Sequence, residues 1–88
     1  MPNLPRLRIK ARAAIRKGIL PSRCQDRTRG GGGTGGVCAV CGELLKANMT
    51  ELEIEFDRAP GALVSYRLHH RCFVAWELER GQGQENRA

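Results

Sequence analysis

Two short cysteine-containing motifs constrain this chain more than any other feature of its sequence. Cys38 and Cys41 are separated by two residues, and so are His69 and Cys72. The first spacing brings two thiolates to one tetrahedral Zn²⁺ across a tight turn, and the second puts both side chains on one side of a helix's first turn. We therefore predict one structural zinc ion, held by four ligands: Cys38, Cys41, His69 and Cys72.

The chain has little other material from which to build a stable core. It is 88 residues long, only 5% of them are aromatic, and 11 are glycine. A single domain of this size rarely holds together by apolar burial alone. It has no apolar run of membrane-spanning length and no secretory signal, so we expect a cytoplasmic, reducing location, where paired cysteines are metal ligands more often than disulfides.

Other interpretations of the cysteines stay open. A lone CxxC motif can be a redox pair, although such a motif usually begins a helix within a βαβ pattern, and here a hairpin is predicted to follow. The cysteines can also be ordinary buried residues beside a solvated histidine pair.

The choice of histidine and the fourth cysteine need separate arguments. If the strand alternation of Val64, Tyr66 and Leu68 continued, His70 would point inward. If the helix already begins here, His69, three residues before Cys72, lies on the same side as Cys72, so we predict His69 as the ligand. Cys24 is predicted to be an exposed free thiol, because ordering the chain that would bring it to the site costs entropy.

Residues 37–81 are predicted to form the zinc-binding domain, a small α+β unit. A first strand is indicated by three apolar residues that alternate with three glutamates: Leu52, Ile54 and Phe56 with Glu51, Glu53 and Glu55. After turn residues 57–61, a second strand over 63–68 would complete a hairpin with Val64, Tyr66 and Leu68 on one side. A helix over 70–80 would stop at Gly81, and residues 82–88 would form a disordered tail.

The N-terminal part is predicted to be an arm and a linker. In residues 1–21, four apolar residues share one face of an amphipathic helix that runs from Leu4 to about Lys17: Leu7, Ala11, Ala14 and Ile15. Gly18 and Pro21 would end it. Residues 22–36 are glycine-rich and are expected to be a flexible linker, because the phosphate-loop ending Gly-Lys-Ser/Thr is missing.

The order CxxC knuckle, β-hairpin, and helix beginning with His and Cys resembles a treble-clef zinc finger. The wider pattern, with CAVCGELL, ELEIEF and LHHRCFVAWELER, is similar to small, largely uncharacterised bacterial zinc-binding proteins over about residues 12–80. It departs from them at Arg29, where an aromatic residue often stands. The resemblance implies a zinc site at the four predicted ligands, and treble clefs serve nucleic-acid binding, protein binding and catalysis.

The charge is divided unevenly along the chain. Residues 1–29 hold nine basic residues and Asp26, giving +8; residues 30–88 hold six basic and eight acidic residues, giving −2; the sum is the net charge of +6. Such an arm can bind phosphate backbones without sequence preference. The predicted contacts to nucleic acid are the basic residues of the arm: Arg6, Arg8, Lys10, Arg12, Arg16, Lys17, Arg23, Arg27 and Arg29.

The main alternative for the arm is intramolecular or protein-directed. The basic helix could lie across Glu51, Glu53 and Glu55, or the acidic face could recruit a protein partner, which would make the chain a protein-binding or regulatory module. We predict no enzyme, because four protein ligands close the metal site and the helix after His70 offers no second metal-binding His or Asn. A monomer is expected.

Overall fold

A computed structural model of the chain describes residues 3–58 and 61–85. The elements follow one another as α1 (Leu4–Arg16), β1 (Arg27–Gly32), β2 (Thr50–Arg58), β3 (Ala62–His69) and α2 (His70–Glu85). The strands form one antiparallel sheet in the order β1-β2-β3. The predicted small α+β class is therefore present, with a third strand that the sequence did not indicate. No helix within the described ranges combines the length and apolarity needed to cross a membrane.

Helix α1 forms where the apolar spacing predicted it. The Asn3 side chain caps its first turn by accepting a hydrogen bond of 3.1 Å from the Arg6 backbone N–H. Gly18 ends the segment with a φ of +78°, a conformation that glycine adopts without a steric penalty. Leu7 and Ala11 are fully buried on the inner face. The helix is thus one of the layers of the fold.

The inner face of α1 packs against α2 and not against the acidic strand. Two alanines on these helices, Ala11 and Ala75, are completely buried, which lets the helices approach closely. Leu20 and Trp76 continue the same core. The alternative in which the basic helix lies across Glu51, Glu53 and Glu55 is therefore wrong, because α1 has a better apolar surface in α2.

The flexible linker predicted for residues 22–36 is also wrong for Arg27–Gly32, which form β1. This strand pairs with the outer edge of β2, with Arg29 opposite Glu53 and Gly31 opposite Glu51. Backbone hydrogen bonds to β2 offset the entropy that the glycines lose. Ion pairs add to them, since Arg27 Nε lies 2.9 Å from a carboxylate oxygen of Glu55.

The hairpin of β2 and β3 has the predicted phase, with Ile54 opposite Tyr66 and Phe56 opposite Val64. The glutamates on the other face are less exposed than their alternation implies. Glu51 and Glu55 are each only 6% exposed to solvent, because arginine side chains from β1 and β3 cover them.

Helix α2 continues beyond the predicted stop at Gly81. It extends to Glu85, so a disordered tail is wrong for residues 82–85, while residues 86–88 lie outside the described part of the chain. A glycine inside a helix costs only about 1 kcal/mol relative to alanine and ends the helix only when it adopts a left-handed conformation.

Candidate metal centre

Four side chains from three segments converge at one point of the molecule. The ligand atoms of Cys38, Cys41, His69 and Cys72 all lie within 4.8 Å of one another. His69 Nδ1 is 3.4 Å from the sulfur of Cys41 and 3.9 Å from that of Cys72. In a tetrahedral zinc site with Zn–S near 2.3 Å and Zn–N near 2.0 Å, a sulfur and a nitrogen ligand are about 3.5 Å apart. The cluster therefore has the dimensions of a possible metal site.

The first two cysteines sit on a tight turn. The Cys38 N–H donates to the Glu43 carbonyl at 2.9 Å, and the Gly42 N–H donates to the Cys38 carbonyl at 3.0 Å. Gly42 has a φ of +77°, which few other residues tolerate. The Val40 N–H also points at the Cys38 sulfur, at 3.4 Å. Residues 37–44 thus form a knuckle that holds both thiols on one side.

The second pair is fixed by the junction of β3 and α2. His69 is the last residue of β3 and His70 the first of α2, so no connecting segment separates them. Cys72 then lies in the first helical turn, and the knuckle is tied to the same strand by a 2.9 Å hydrogen bond from the Ala39 N–H to the Arg67 carbonyl. Cys38 and Cys72 are each only 2% exposed.

A backbone carbonyl determines which nitrogen of His69 faces the thiols. Nε2 of His69 lies 3.0 Å from the Leu44 carbonyl oxygen, which accepts only if Nε2 carries the proton. Nδ1 is then the nitrogen with a free lone pair, and it points into the cluster. Sequence reasoning missed Leu44, because a carbonyl acts in this way whatever the side chain.

The remaining histidine and cysteine lie outside the cluster. His70 is exposed at the start of α2, as expected when the side chains at this junction follow the helical spacing from Cys72. Cys24 is an exposed free cysteine, as predicted. The structure brings together the four residues that the spacing indicated.

The three clustered thiols have unequal acidities. A hydrogen bond from the Cys72 thiol lowers the pKa of Cys38 to about 4. The same hydrogen bond, together with burial, raises the pKa of Cys72, and burial raises that of Cys41. The cluster by itself therefore favours one thiolate, and a divalent cation is what allows all three thiols to ionise together.

The basic residues predicted to contact nucleic acid do not form one free surface. Arg8 and Arg12 donate to the carboxylate of Glu79 on α2 at 2.7 and 2.9 Å. Arg27 pairs with Glu55, and Arg29 lies 3.5 Å from the same carboxylate.

Arg23 is engaged as well. It lies 3.4 Å from an Asp26 oxygen, and its guanidinium sits 4.9 Å from the centre of the Phe56 ring. Within residues 3–58 and 61–85, four of the predicted contacts form no ion pair: Arg6, Lys10, Arg16 and Lys17.

In comparisons with known proteins, no family model, no curated protein and no solved structure matches this chain.

Proposed function

We propose that this chain is a small non-catalytic zinc protein in which one Zn²⁺ is bound by Cys38, Cys41, His69 and Cys72. The observation that carries the proposal is the convergence of four donor atoms within 4.8 Å. Three thiolates and one imidazole are a donor set that suits zinc in tetrahedral geometry. With four protein ligands no position remains for a substrate, so the ion is structural.

The order of the segments around the ion supports a treble-clef-like arrangement. The knuckle supplies Cys38 and Cys41, the β2–β3 hairpin follows, and α2 brings Cys72 in its first turn. Zinc joins these segments at a point where the core is small. In fingers of this size the metal supplies about 10–16 kcal/mol of apparent free energy, so folding and metal binding are coupled.

Ligand variants with matched controls test the zinc proposal. Cys38→Ser and His69→Ala should abolish stoichiometric zinc, measured by mass spectrometry of the purified protein. Cys24→Ser and His70→Ala make the same substitutions outside the cluster and should retain one zinc per chain. A strong chelator should collapse the amide dispersion of the wild type in NMR spectra. Retention of native dispersion after chelation, or loss of zinc on His70→Ala alone, would contradict the assignment.

We further propose that the protein binds nucleic-acid backbones without sequence preference through α1. Arg6, Lys10 and Lys17 recur at spacings of four and seven residues, which places them on one stripe of the helix. Arg8 and Arg12, which share the single carboxylate of Glu79, lie on the opposite flank. Three of the four arm cations that form no ion pair among the described residues therefore lie on one side of α1, and phosphates complement them.

Removing charge from two different surfaces tests this second proposal. Lys10→Gln with Lys17→Gln should weaken binding to a generic oligonucleotide and reduce the slope of log K against log salt by about 1.8 on duplex DNA, at about 0.9 per phosphate contact. Arg29→Gln with Arg67→Gln makes the same charge change on the sheet and should have the smaller effect. A wild-type chain without salt-dependent affinity for DNA or RNA would refute the proposal and favour the protein-binding or regulatory alternative.

A further inference from the structure

A groove of about 470 Å³ opens over the metal centre, between α1, the knuckle and the start of α2, and Cys41, His69 and Cys72 form part of its lining. Leu44 and Met49 give it an accessible apolar lining, and the buried Leu7 lies behind them. Leu7 comes from α1, and Leu44 from the knuckle with 55% of its surface exposed. Its volume falls in the range of about 300–1,000 Å³ that is typical of small-molecule sites. The groove is therefore large enough to receive a flat ring.

Cations border this apolar groove. Lys46 and Arg71 line it, both are exposed, and neither forms an ion pair with a carboxylate of the described residues. Glu43 is the acidic residue of the lining. The groove thus combines apolar side chains with two cations that have no carboxylate partner among the described residues.

We propose that this groove holds one unpaired base of a single-stranded nucleic acid, with Lys46 and Arg71 contacting the flanking phosphates. The inference rests on the proposed nucleic-acid binding and specifies its substrate class. Bases of a duplex are stacked and paired inside the helix and cannot enter a groove, whereas an unpaired base can be splayed out into one. The thioether of Met49 offers a polarisable contact to an aromatic ring.

Three probes of the full-length chain separate the base from the backbone. They are a labelled short oligothymidylate, an abasic strand of the same length and a duplex, each titrated by fluorescence anisotropy at two salt concentrations. Oligothymidylate should bind about tenfold more tightly than the abasic strand, because it alone can bury the apolar surface of a base against Leu44 and Met49. Equal affinities for these two strands would overturn the proposal.

Two leucines of equal exposure provide the matched variants. Leu44 in the groove and Leu63 on β3 are both 55% exposed, so aspartate at either position leaves the buried core intact. Leu44→Asp should remove the preference for oligothymidylate over the abasic strand, and Leu63→Asp should preserve it. Arg71→Gln should weaken oligothymidylate binding more than Arg58→Gln, which removes the same charge at the end of β2. Equal effects within either pair would refute the groove as the binding site.

The methyl resonance of Met49 gives a direct readout that is independent of affinity. The chain has two methionines, so this signal is easily assigned, and it should shift with oligothymidylate but not with the abasic strand. If all three probes bind equally and Lys10→Gln with Lys17→Gln weakens them all, the groove proposal fails and backbone binding by α1 stands. If no probe shows salt-dependent binding, both proposals fail.

Discussion

The carboxylate of Glu79 takes both of its partners from α1. Its side chain is 4% exposed, whereas those of Arg8 and Arg12 are 29% and 55% exposed. Burial by itself raises the pKa of Glu79, but the hydrogen bonds and charges of the two arginines outweigh it, so the pKa lies below its ordinary value. One acidic residue thus joins the two helices electrostatically.

Glu79→Gln should lower the free energy of unfolding by about 1–3 kcal/mol at neutral pH, because it removes charge-assisted hydrogen bonds to both arginines. A group whose pKa is lower in the folded state stabilises the fold above its unfolded pKa and loses that effect as the pH falls through its folded pKa. Urea unfolding at several pH values should therefore show the difference between wild type and variant shrinking below about pH 5.

Glu77 supplies the control on the same helix. It is 42% exposed and lies 3.5 Å from Arg80, so Glu77→Gln should change stability by less than about 1 kcal/mol. A Glu79→Gln effect that stays constant into acid, or that equals the Glu77→Gln effect, would show that the contacts of Glu79 contribute no pH-dependent stability.

At the scale of elements, the chain directly after β1 packs closely against the backbone at Leu45 and Lys46. A Cβ at Gly33 would lie 1.9 Å from the backbone oxygen of Lys46, whereas a Cβ at Gly31 would meet nothing within 4 Å. Neither residue has a positive φ, so the difference between them is one of space alone. Packing therefore requires a glycine at position 33 but leaves room for a side chain at position 31.

Gly33→Ala should destabilise the fold by about 2 kcal/mol or more, because the backbone of the loop at Lys46 has to move. For a domain of this size that corresponds to a fall in melting temperature of about 10 °C, measured by circular dichroism. Gly31→Ala should leave the melting temperature unchanged or raise it slightly, since it lowers the entropy of the unfolded chain. Similar melting temperatures for the two variants would contradict the close approach at Gly33.

The elements that sequence reasoning found are those in which side chains carry the pattern. The spacing of Leu7 and Ala11 predicts a helix, and that of Ile54 and Phe56 predicts a strand. In both cases the buried side of the element carries apolar residues at a fixed period. Strand β1 has no such pattern, since its glycines lack side chains and its existence depends on the free edge of β2. Burial of the β2 glutamates was missed for the related reason that arginines distant in sequence cover them.

At the scale of the whole molecule, the N-terminal region is part of the core. Leu7, Ala11, Ala14 and Leu20 are all buried in the same cluster as Trp76. The segments that carry the candidate metal centre therefore pack on a helix that begins far from them in sequence. A division into an arm and an independent zinc-binding body has no support in this packing.

Deleting residues 1–29 should consequently destabilise the rest of the chain, since it exposes the faces of α2 and the sheet that α1 and Leu20 cover. Amide NMR spectra of the truncated chain with zinc should show poor dispersion. Lys10→Gln with Lys17→Gln retains the helix and should give native spectra. A truncated chain with native dispersion would contradict this prediction and would restore the arm as a separate element.

In the candidate site, the ligands could be predicted from the sequence but the neighbouring groove could not. Cys38, Cys41, His69 and Cys72 could be predicted because each pair is local in sequence and its spacing has a geometric meaning. The groove beside them could not, because Leu7, Met49 and Arg71 meet only after three separate segments have packed.

Trp76 gives the molecule an optical probe of its own. It is the chain's one tryptophan, it is fully buried, and its indole N–H donates to the Pro21 carbonyl at 2.9 Å. Its ring lies perpendicular to that of Phe56. The segment after α1, the sheet and α2 all contribute to its environment. Its fluorescence should therefore move to longer wavelength whenever these parts separate. Identical spectral changes with a strong chelator and in urea would mean that α1 and the segments of the candidate metal centre unfold together.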